Sequence, residues 1–506
     1  MGSFNFRYRG VAIPLLILVV LIAGSLWSAG KIVSPWARNR ALGAIQGYFG
    51  GQAKFGTLRL AFHPELVVSG TDLRVELPGA AGVPPLVSIQ RFSARVGFIG
   101  LLRRPLHLRN VHLEGLRITV PRGEAKGHSG KGSVPAFVID ETKVDRATLI
   151  IIPKKEGRDP LEFDLHNLTL HGAGKNGAMS FQAALTNAKP RGEIHTTGTF
   201  GPWQAEDPRE TAVSGEYVFR RADLSSFKGL KGTLSSQGSF QGTLEHIETA
   251  GETDTPDFAL TISGNPVHLK TQFKAVVDGT DGNTYLHRVT GQFGHSAVET
   301  QGQVAGMPGG GKTVSLDVKV NNARLEDLLR LVVSGQPSMT GAVSFQSKFA
   351  IPPGEQAVAE KIRMDGQFEV GSALFSNSSA QQKVDDLSKR GRGHPQDENQ
   401  TVTSDFRGDF HLDHGLVTFQ KLGFKVPGVS VILDGTYGLE SAKLDFQGTA
   451  QLEGKLSQAT TGFKSFLLKA ADPFFKKGNA GAVLPIKIAG TSSSPSFGLN
   501  LKQAKK

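Results

Sequence analysis

The sequence predicts a mainly β protein, with an N-terminal transmembrane helix, a long antiparallel β-sheet and a few short helices. Three observations support this fold class. Residues 11–30 contain no charged side chain, most later segments alternate apolar and polar residues, and the 506 residues include 62 glycines and 31 phenylalanines. Alternation with a period of two gives a strand one apolar and one solvated face. This pattern is typical of antiparallel sheets with one face in water.

The uncharged segment 11–30 is the predicted membrane anchor, because a helix of this length spans about 30 Å and crosses a bilayer core. Its predicted anchor residues are Val11, Leu15, Leu18, Leu21 and Trp27. A cleaved signal peptide is the alternative, with Ala23 and Ser25 as the small residues of a cleavage site. The apolar run continues past that pair and therefore favours a retained anchor. Basic residues on both sides of the segment leave its orientation open.

Composition limits the remaining possibilities. A chain of 506 residues exceeds the size that one compact core usually organises. It contains no cysteine, so a disulfide framework or a cysteine zinc site is excluded. The net charge of +12 favours anionic partners such as lipid head groups, although plain solubility explains it equally well.

In chain order, the pattern first predicts a short helix over 35–49. Predicted strands then cover 57–62, 66–77, 86–96, 106–120, 137–141, 143–152, 161–170 and 179–185, and strand patterns continue to about residue 320. Segment 121–133 is a predicted polar loop. Segment 321–334 shows helical spacing and is followed by Gly335, a typical helix end. A Pro/Gly/Ala linker is predicted over 351–360.

The C-terminal part shows the clearest alternation. Segments 362–370 and 405–413 place their large apolar residues on one face and their charged residues on the other. Segment 388–403 is polar and is a predicted loop. Segment 461–475 has the pattern of an amphipathic helix, either packed as an end cap or bound to a membrane surface.

A Gly-polar-Phe pattern recurs along the predicted strands. It begins at Gly198, Gly238, Gly291, Gly366 and Gly408, and a Tyr variant begins at Gly435. Because residues i and i+2 of a strand point to the same face, each copy places a ring beside a gap on the apolar face. The spacing is irregular and excludes a fixed-period solenoid.

Motifs for catalysis or nucleotide binding are weak. Residues 306–313 match GxxxxGKS/T by letter, but the residues after Lys312 alternate as a strand, whereas a phosphate-binding loop needs a following helix. A hairpin loop is the favoured interpretation. Asp254 and Asp257 are interpreted as turn residues, and the histidines lack metal-ligand spacing. Basic pairs lack interleaved aromatic residues, so nucleic acid is not an expected partner. We expect no enzyme activity and no cofactor.

The chain resembles the AsmA-like family of Gram-negative envelope proteins, the AsmA/TamB type. The resemblance is carried by the anchor and by two segments that follow it in the chain, LRLAFHPELVVSGTDLRVELP and VSIQRFSARVGFIGLLRRPLHLRNVHLEGLRITV. Near the C-terminus it includes GQFEVGSALFSNSSAQQKVDDLSKRGRG and DPFFKKGNAGAVLPIKIAGTSSSPSFGLNL. It implies a single inner-membrane anchor with the bulk of the chain in the periplasm. It also implies a sheet curled into a U-shaped, apolar-lined groove, and a role in outer-membrane biogenesis that includes glycerophospholipid transport.

The residues alone are compatible with two structures that shield the apolar face from water. The sheet could close into a sandwich, or it could curl and form an apolar channel for acyl chains. If the channel exists, its candidate lining residues are Phe200, Phe240, Phe293, Phe368, Phe406, Phe410 and Phe446. The expected partners are phospholipid acyl chains, the inner membrane and envelope proteins. The alternative function is a non-enzymatic scaffold that assists outer-membrane protein assembly through exposed sheet edges.

The predicted organisation has five parts. They are a cytoplasmic tail (1–10), the transmembrane anchor (11–30), an N-terminal AsmA-like β region (31–133), a central β-groove region (134–350) and a C-terminal AsmA-like β region with the amphipathic helix (351–506).

Overall fold

The structure is a computed structural model. It describes residues 52–63, 65–76, 84–97, 106–120, 137–152, 160–173, 177–204, 207–307, 310–393, 398, 400–453 and 483–499. The predicted anchor, with Val11, Leu15, Leu18, Leu21 and Trp27, lies outside these residues, as do the predicted helices over 35–49 and 461–475. Among the residues described, no helix has the length and hydropathy that a bilayer crossing requires.

Strands dominate the described chain, which confirms the mainly β prediction. The strands are β1 (Gln52–Lys54), β2 (Thr57–His63), β3 (Glu65–Glu76), β4 (Val87–Val96), β5 (Leu106–Val120), β6 (Phe137–Ile151), β7 (Leu161–Ala173), β8 (Met179–Ala188), β9 (Arg191–Phe200), β10 (Ala212–Asp223), β11 (Leu230–Lys231), β12 (Thr233–Thr243), β13 (Ile247–Leu260), β14 (Val267–Val277), β15 (Thr284–Phe293), β16 (Ser296–Gly306), β17 (Lys312–Arg324), β18 (Met339–Ile351), β19 (Arg363–Phe375), β20 (Ser404–Asp413), β21 (Leu416–Val426), β22 (Val429–Gly438), β23 (Lys443–Leu452), β24 (Val483–Thr491) and β25 (Pro495–Leu499). The α-helices are α1 (Leu325–Val332), α2 (Val358–Lys361) and α3 (Ser378–Arg392), and two 3-10 helices cover Pro208–Glu210 and Leu224–Ser226.

All 25 strands belong to one sheet, which curls into a half-barrel. Nearly every strand pairs antiparallel with the next strand in the chain. Two short strands depart from the series: β1 pairs beside β2 on β3, and β11 pairs with the end of β13. Pairing continues from β5 to β6 and from β18 to β19, so the sheet is unbroken where the sequence changes from one predicted region to the next.

The pair β5–β6 is parallel, unlike every other pair among the described strands. Cross-strand ion pairs reinforce this part of the sheet. Glu114 on β5 accepts hydrogen bonds of 2.6 Å from Arg91 on β4 and from Arg146 on β6. The hydrogen bond and charge of Arg91 hold the pKa of Glu114 below its ordinary value. This carboxylate therefore links three neighbouring strands on their solvated face.

The strand connections form two rims along the long edges of the sheet. Among the described residues, rim 1 contains the connections at 244–246, 278–283, 307 with 310–311, 352–362 and 414–415. Rim 2 contains the connections at 224–232, 261–266, 294–295, 325–338 and 376–393 with 398 and 400–403. Because each antiparallel strand runs from one rim to the other, the two rims border opposite sides of the apolar face. We call this apolar face the inner face.

The described residues form three apolar cores on the sheet. Core 1 belongs to the first strands and contains Phe55, Leu73, Val75, Leu86, Ile89, Leu116 and Val144. Core 2 lies on β17 to β20, under α1, and contains Val320, Ala323, Leu325, Val343, Val370 and Ala373. Core 3 lies on β21 to β23, under α3, and contains Val426, Val429, Val431, Leu433, Phe446, Ala450 and Leu452. Helices α1 and α3 thus pack on the inner face in the C-terminal half.

The helix predicted over 321–334 is shorter in the structure, because β17 continues to Arg324 and α1 begins at Leu325. Asp327 fixes α1 to the turn between β15 and β16 by accepting hydrogen bonds of 2.8 Å from the His295 amide and the Ser296 hydroxyl. Asn265 caps the other end, donating to the carbonyls of Arg330 and Val333, among others.

The loop predicted over 388–403 is wrong in its first part, since α3 continues to Arg392. Local signals define this helix. The Asn377 side chain accepts from the Ala380 amide, and Gly393 ends the helix in the left-handed region with φ of 80°. Val384 and Leu387 then pack against core 3. Hydrogen bonds complete the docking, since the Ser388 hydroxyl donates to the Pro427 carbonyl at 2.8 Å and Asp385 accepts from the Val402 amide at 2.9 Å.

Candidate apolar groove

The inner face of β8 to β15 is the candidate functional site, because none of the three cores of the described chain includes it. Its large side chains, except Phe293, are half-buried, whereas those of the cores are buried. They include Phe181, Ile194, Phe200, Tyr217, Phe219, Leu234, Phe240, Leu269 and Phe273. The opposite face of the same strands carries exposed polar residues such as His268, Lys270 and Lys274. This stretch therefore presents an apolar surface that lies outside the three cores of the described chain.

Glycines opposite aromatic residues shape this surface. Gly215 lies opposite Phe240 in the register, and Gly251 lies opposite Phe273. A Cβ atom added at Gly215 would come within 2.9 Å of the Phe240 ring, and one at Gly251 within 3.1 Å of the Phe273 ring. Each ring therefore lies across the glycine of the neighbouring strand. The Gly-polar-Phe pattern predicted a gap at each glycine, and in these pairs an aromatic ring of the neighbouring strand fills that gap.

Five of the seven predicted lining residues are half-buried on the inner face: Phe200, Phe240, Phe368, Phe406 and Phe410. The other two, Phe293 and Phe446, are 5% and 6% exposed.

The structure does not bring the predicted rings into one site. Phe368 and Phe410 have ring centroids 6.1 Å apart on β19 and β20, and Phe368 packs against core 2. Phe200 instead contacts Trp203, with centroids 6.2 Å apart. Sequence reasoning missed Phe181, Tyr217, Phe219 and Phe273. A glycine opposite the ring on the adjacent strand would have indicated these residues. That glycine can be identified only when the register of the two strands is known.

A line of hydroxyl groups crosses the inner face of β10, β12, β13 and β14. The Tyr217 hydroxyl lies 3.0 Å from Ser236 Oγ, which donates to the Glu252 carbonyl at 2.9 Å. Because Ser236 has a single proton, Tyr217 is the donor in the first contact. Thr253 lies opposite Ser236, and its Oγ1 is 2.7 Å from Thr271 Oγ1. The hydroxyl proton of one threonine forms that hydrogen bond, and the hydroxyl proton of the other threonine takes no part in it.

Tyr217 is the polar member of the glycine–aromatic pairs. Its ring lies across Gly238, where an added Cβ atom would come within 3.0 Å of Tyr217 Cε1. Burial raises the pKa of the Tyr217 hydroxyl above its ordinary value. The phenol therefore stays neutral and keeps its proton at physiological pH.

The connection 352–362, which we call the crossing segment, links the two rims. It leaves β18 and enters β19 at rim 1, yet the Val358 amide donates to the Lys228 carbonyl of rim 2 at 3.0 Å. Gly229 contacts the same segment, since a Cβ atom built there would lie 3.4 Å from the Ala357 Cβ. The rims border opposite sides of the inner face, so this contact spans the groove between β12 and β18.

The phosphate-loop-like residues form part of a hairpin turn, as predicted. The Gly306 amide donates to Asn283 Oδ1 at 2.9 Å, and Lys312 Nζ donates to the Gly282 carbonyl at 2.7 Å. Strand β17 begins at Lys312, where a phosphate site would need a helix. The Gly306 amide and the Lys312 side chain therefore bind the neighbouring turn.

The acidic residues predicted to lie in a turn are within a strand. Asp254 on β13 contacts His268 on β14 at 2.5 Å, and Asp257 accepts from the Thr233 amide at 2.8 Å. The turn prediction is wrong because the register shift between Thr255 and Phe258 accommodates the Asp-Thr-Pro-Asp sequence inside β13. Within the described ranges, no cluster of three or more histidine and carboxylate side chains has the geometry of a metal site.

Comparisons with known protein families, curated proteins and solved structures find no match to this chain.

Proposed function

We propose that the protein binds the acyl chains of membrane lipids along the inner face of β8 to β15 and thereby carries or guides glycerophospholipids. One observation supports this most strongly: the large apolar side chains of this stretch, except Phe293, are half-buried and lie outside every core of the described chain. A contiguous apolar face that stays partly accessible is typical of an interaction site in a folded protein.

The energetics favour an acyl occupant. Removing one CH₂ group from water contributes about 0.8 kcal/mol of favourable free energy. Burial of a sixteen-carbon chain therefore contributes on the order of 10 kcal/mol, before the entropy cost of binding is subtracted. The aromatic rings of Phe240 and Phe273 offer flat apolar contacts, and rings bury large areas per residue. The curled sheet gives that occupant a continuous strip across neighbouring strands.

The cellular setting of the proposal comes from the sequence. The uncharged segment 11–30 would anchor the chain in the inner membrane, and the resemblance to AsmA-like proteins would place the sheet in the periplasm. A lipid leaving the membrane could then enter the groove directly. In this role the protein acts without catalysis and contributes to outer-membrane biogenesis.

Native mass spectrometry of the full chain in mild detergent tests the proposal. We expect bound phospholipid, reduced at least tenfold in Phe240→Asp, because the substitution removes a lining ring and places a charge on the apolar face. Gln241→Asp is the matched control on the exposed face and should retain the lipid. A folded wild-type chain that carries no lipid would refute the proposal.

The scaffold alternative is supported by a separate observation. Within the described chain, β25 pairs on one side only, with β24, and β1 and β2 pair only with β3. An unpaired strand edge can accept an extended segment of another protein. Crosslinking of outer-membrane protein segments to residues 495–499, in a chain without bound lipid, would favour this function.

A further inference from the structure

The hydroxyl line of Tyr217, Ser236, Thr253 and Thr271 crosses the inner face, which also carries the hydroxyl residues Thr196, Thr249 and Thr255. The line lies on four adjacent strands, with Ser236, Thr253 and Thr271 directly opposite one another in the register. On the next strand, β15, the position opposite Thr271 is Gly291, and Val298 follows on β16. The line therefore ends at β14, because the next two positions in the register carry no hydroxyl group.

The line can form further hydrogen bonds. Thr253 and Thr271 are partly accessible, and their mutual contact uses one of two hydroxyl protons. The Tyr217 oxygen donates its proton to Ser236 and keeps acceptor capacity. The hydroxyl line thus offers a ligand in the groove at least one hydrogen-bond donor, a threonine hydroxyl, and one acceptor, the Tyr217 oxygen.

The line selects for uncharged groups. Every residue of β10, β12, β13 and β14 is described, and none that faces inward carries a charge. An ionised phosphate placed there would lose water without gaining a counter-charge, which is unfavourable. An ester carbonyl, by contrast, is a neutral acceptor that one threonine proton can satisfy.

We infer that this hydroxyl line is a subsite for the ester linkages of a glycerolipid, with the acyl chains extending over the flanking rings. The inference rests on the proposed function and names the part of the lipid that is recognised. It assigns specificity to Thr253, Thr271 and Tyr217, in addition to the apolar affinity of the phenylalanines. Sites that hydrogen-bond a ligand group reject analogues that lack the group.

Two pyrene-labelled phosphatidylglycerols test the inference on the full chain in detergent, one with ester-linked and one with ether-linked chains. The ether probe has the same apolar chains but no carbonyl acceptor. We expect the wild type to bind the ester probe about threefold to tenfold more tightly, the range that one net hydrogen bond supplies. The double substitution Thr253→Val with Thr271→Val should abolish this preference while leaving binding of the ether probe unchanged.

Two further variants keep the test decisive. Thr197→Val removes a hydroxyl from the exposed face of β9 and should retain the ester preference. Tyr217→Phe removes one oxygen while its ring stays over Gly238, and should weaken the preference even if the valine variant fails to fold. Equal wild-type affinity for both probes, or a preference that survives the valine substitutions, would overturn the inference. Binding of neither probe would refute the proposed function itself.

Discussion

At the scale of single residues, glycine and aromatic side chains act as pairs across strands. Gly238 is opposite Tyr217 on one side and Gly251 on the other, so its backbone is approached closely from both neighbours. A Cβ atom added there would lie 2.4 Å from the Ala250 carbonyl oxygen. The high glycine content therefore reflects close strand contacts under aromatic rings, in addition to turns.

Gly238→Ala should accordingly destabilise the protein by about 1–3 kcal/mol, the usual cost of overpacking a tightly packed site. Urea unfolding of the full chain measures this change. Gly371→Ala is the matched control inside a strand, because a Cβ atom there meets no atom within 4 Å. Equal stability of the two variants would contradict the pairing described here.

Sequence analysis predicted an apolar face for the strands with clear alternation but could not predict these pairs. Alternation placed Phe240 on such a face, because the period of two is local. Which glycine lies opposite each ring depends on register, a property of two strands. Two other predicted lining residues, Phe293 and Phe446, are 5% and 6% exposed, and the closeness of their packing likewise depends on neighbouring strands.

At the scale of elements, local signals predicted helices unevenly. The spacing of Leu325, Leu328, Leu329 and Val332 indicated α1, and the structure places this helix on core 2. Helix α3 was missed because its sequence is mostly polar, and Val384 and Leu387 supply its apolar packing. The crossing segment was predicted as a linker. Its contact with Lys228 joins residues far apart in the chain, which no local pattern reveals.

The contact of the crossing segment can be tested with cysteines, since the chain contains none. In Gly229→Cys with Ala357→Cys, the two Cβ atoms would lie 3.4 Å apart, close to the range of about 3.5–4.5 Å found in disulfides. We therefore expect a disulfide to form under mild oxidation. Intact mass after thiol alkylation and mapping of the linked peptides measure its yield.

A matched control accounts for backbone strain at Gly229, whose φ is +97°. Gly335 on rim 2 has a φ of +85°, and a Cβ atom there meets nothing within 4 Å. The pair Gly335→Cys with Ala357→Cys should remain reduced. Comparable disulfide yields in both double variants would show that the crossing segment does not dock at Gly229.

At the scale of the whole molecule, one sheet provides both the scaffold and the surface. Apart from β1 and β11, its strands form a series that would extend about 105 Å if flat, at a strand spacing of about 4.8 Å. Curling turns that series into a half-barrel with a single apolar inner face. Helices α1 and α3 pack on cores 2 and 3 in the C-terminal half of this face, while β8 to β15 lie outside all three cores of the described chain.

The central claim is that lipid acyl chains occupy the inner face of β8 to β15. Photocrosslinking tests it most directly: a phospholipid with a diazirine in its acyl chain is supplied to the full chain in membranes, and the adducts are mapped by peptide mass spectrometry. The claim predicts adducts at inward residues such as Phe240 and Phe273, and few at their outward neighbours Gln241 and Lys274. Adducts confined to segment 11–30, or spread equally over both faces of the strands, would contradict it.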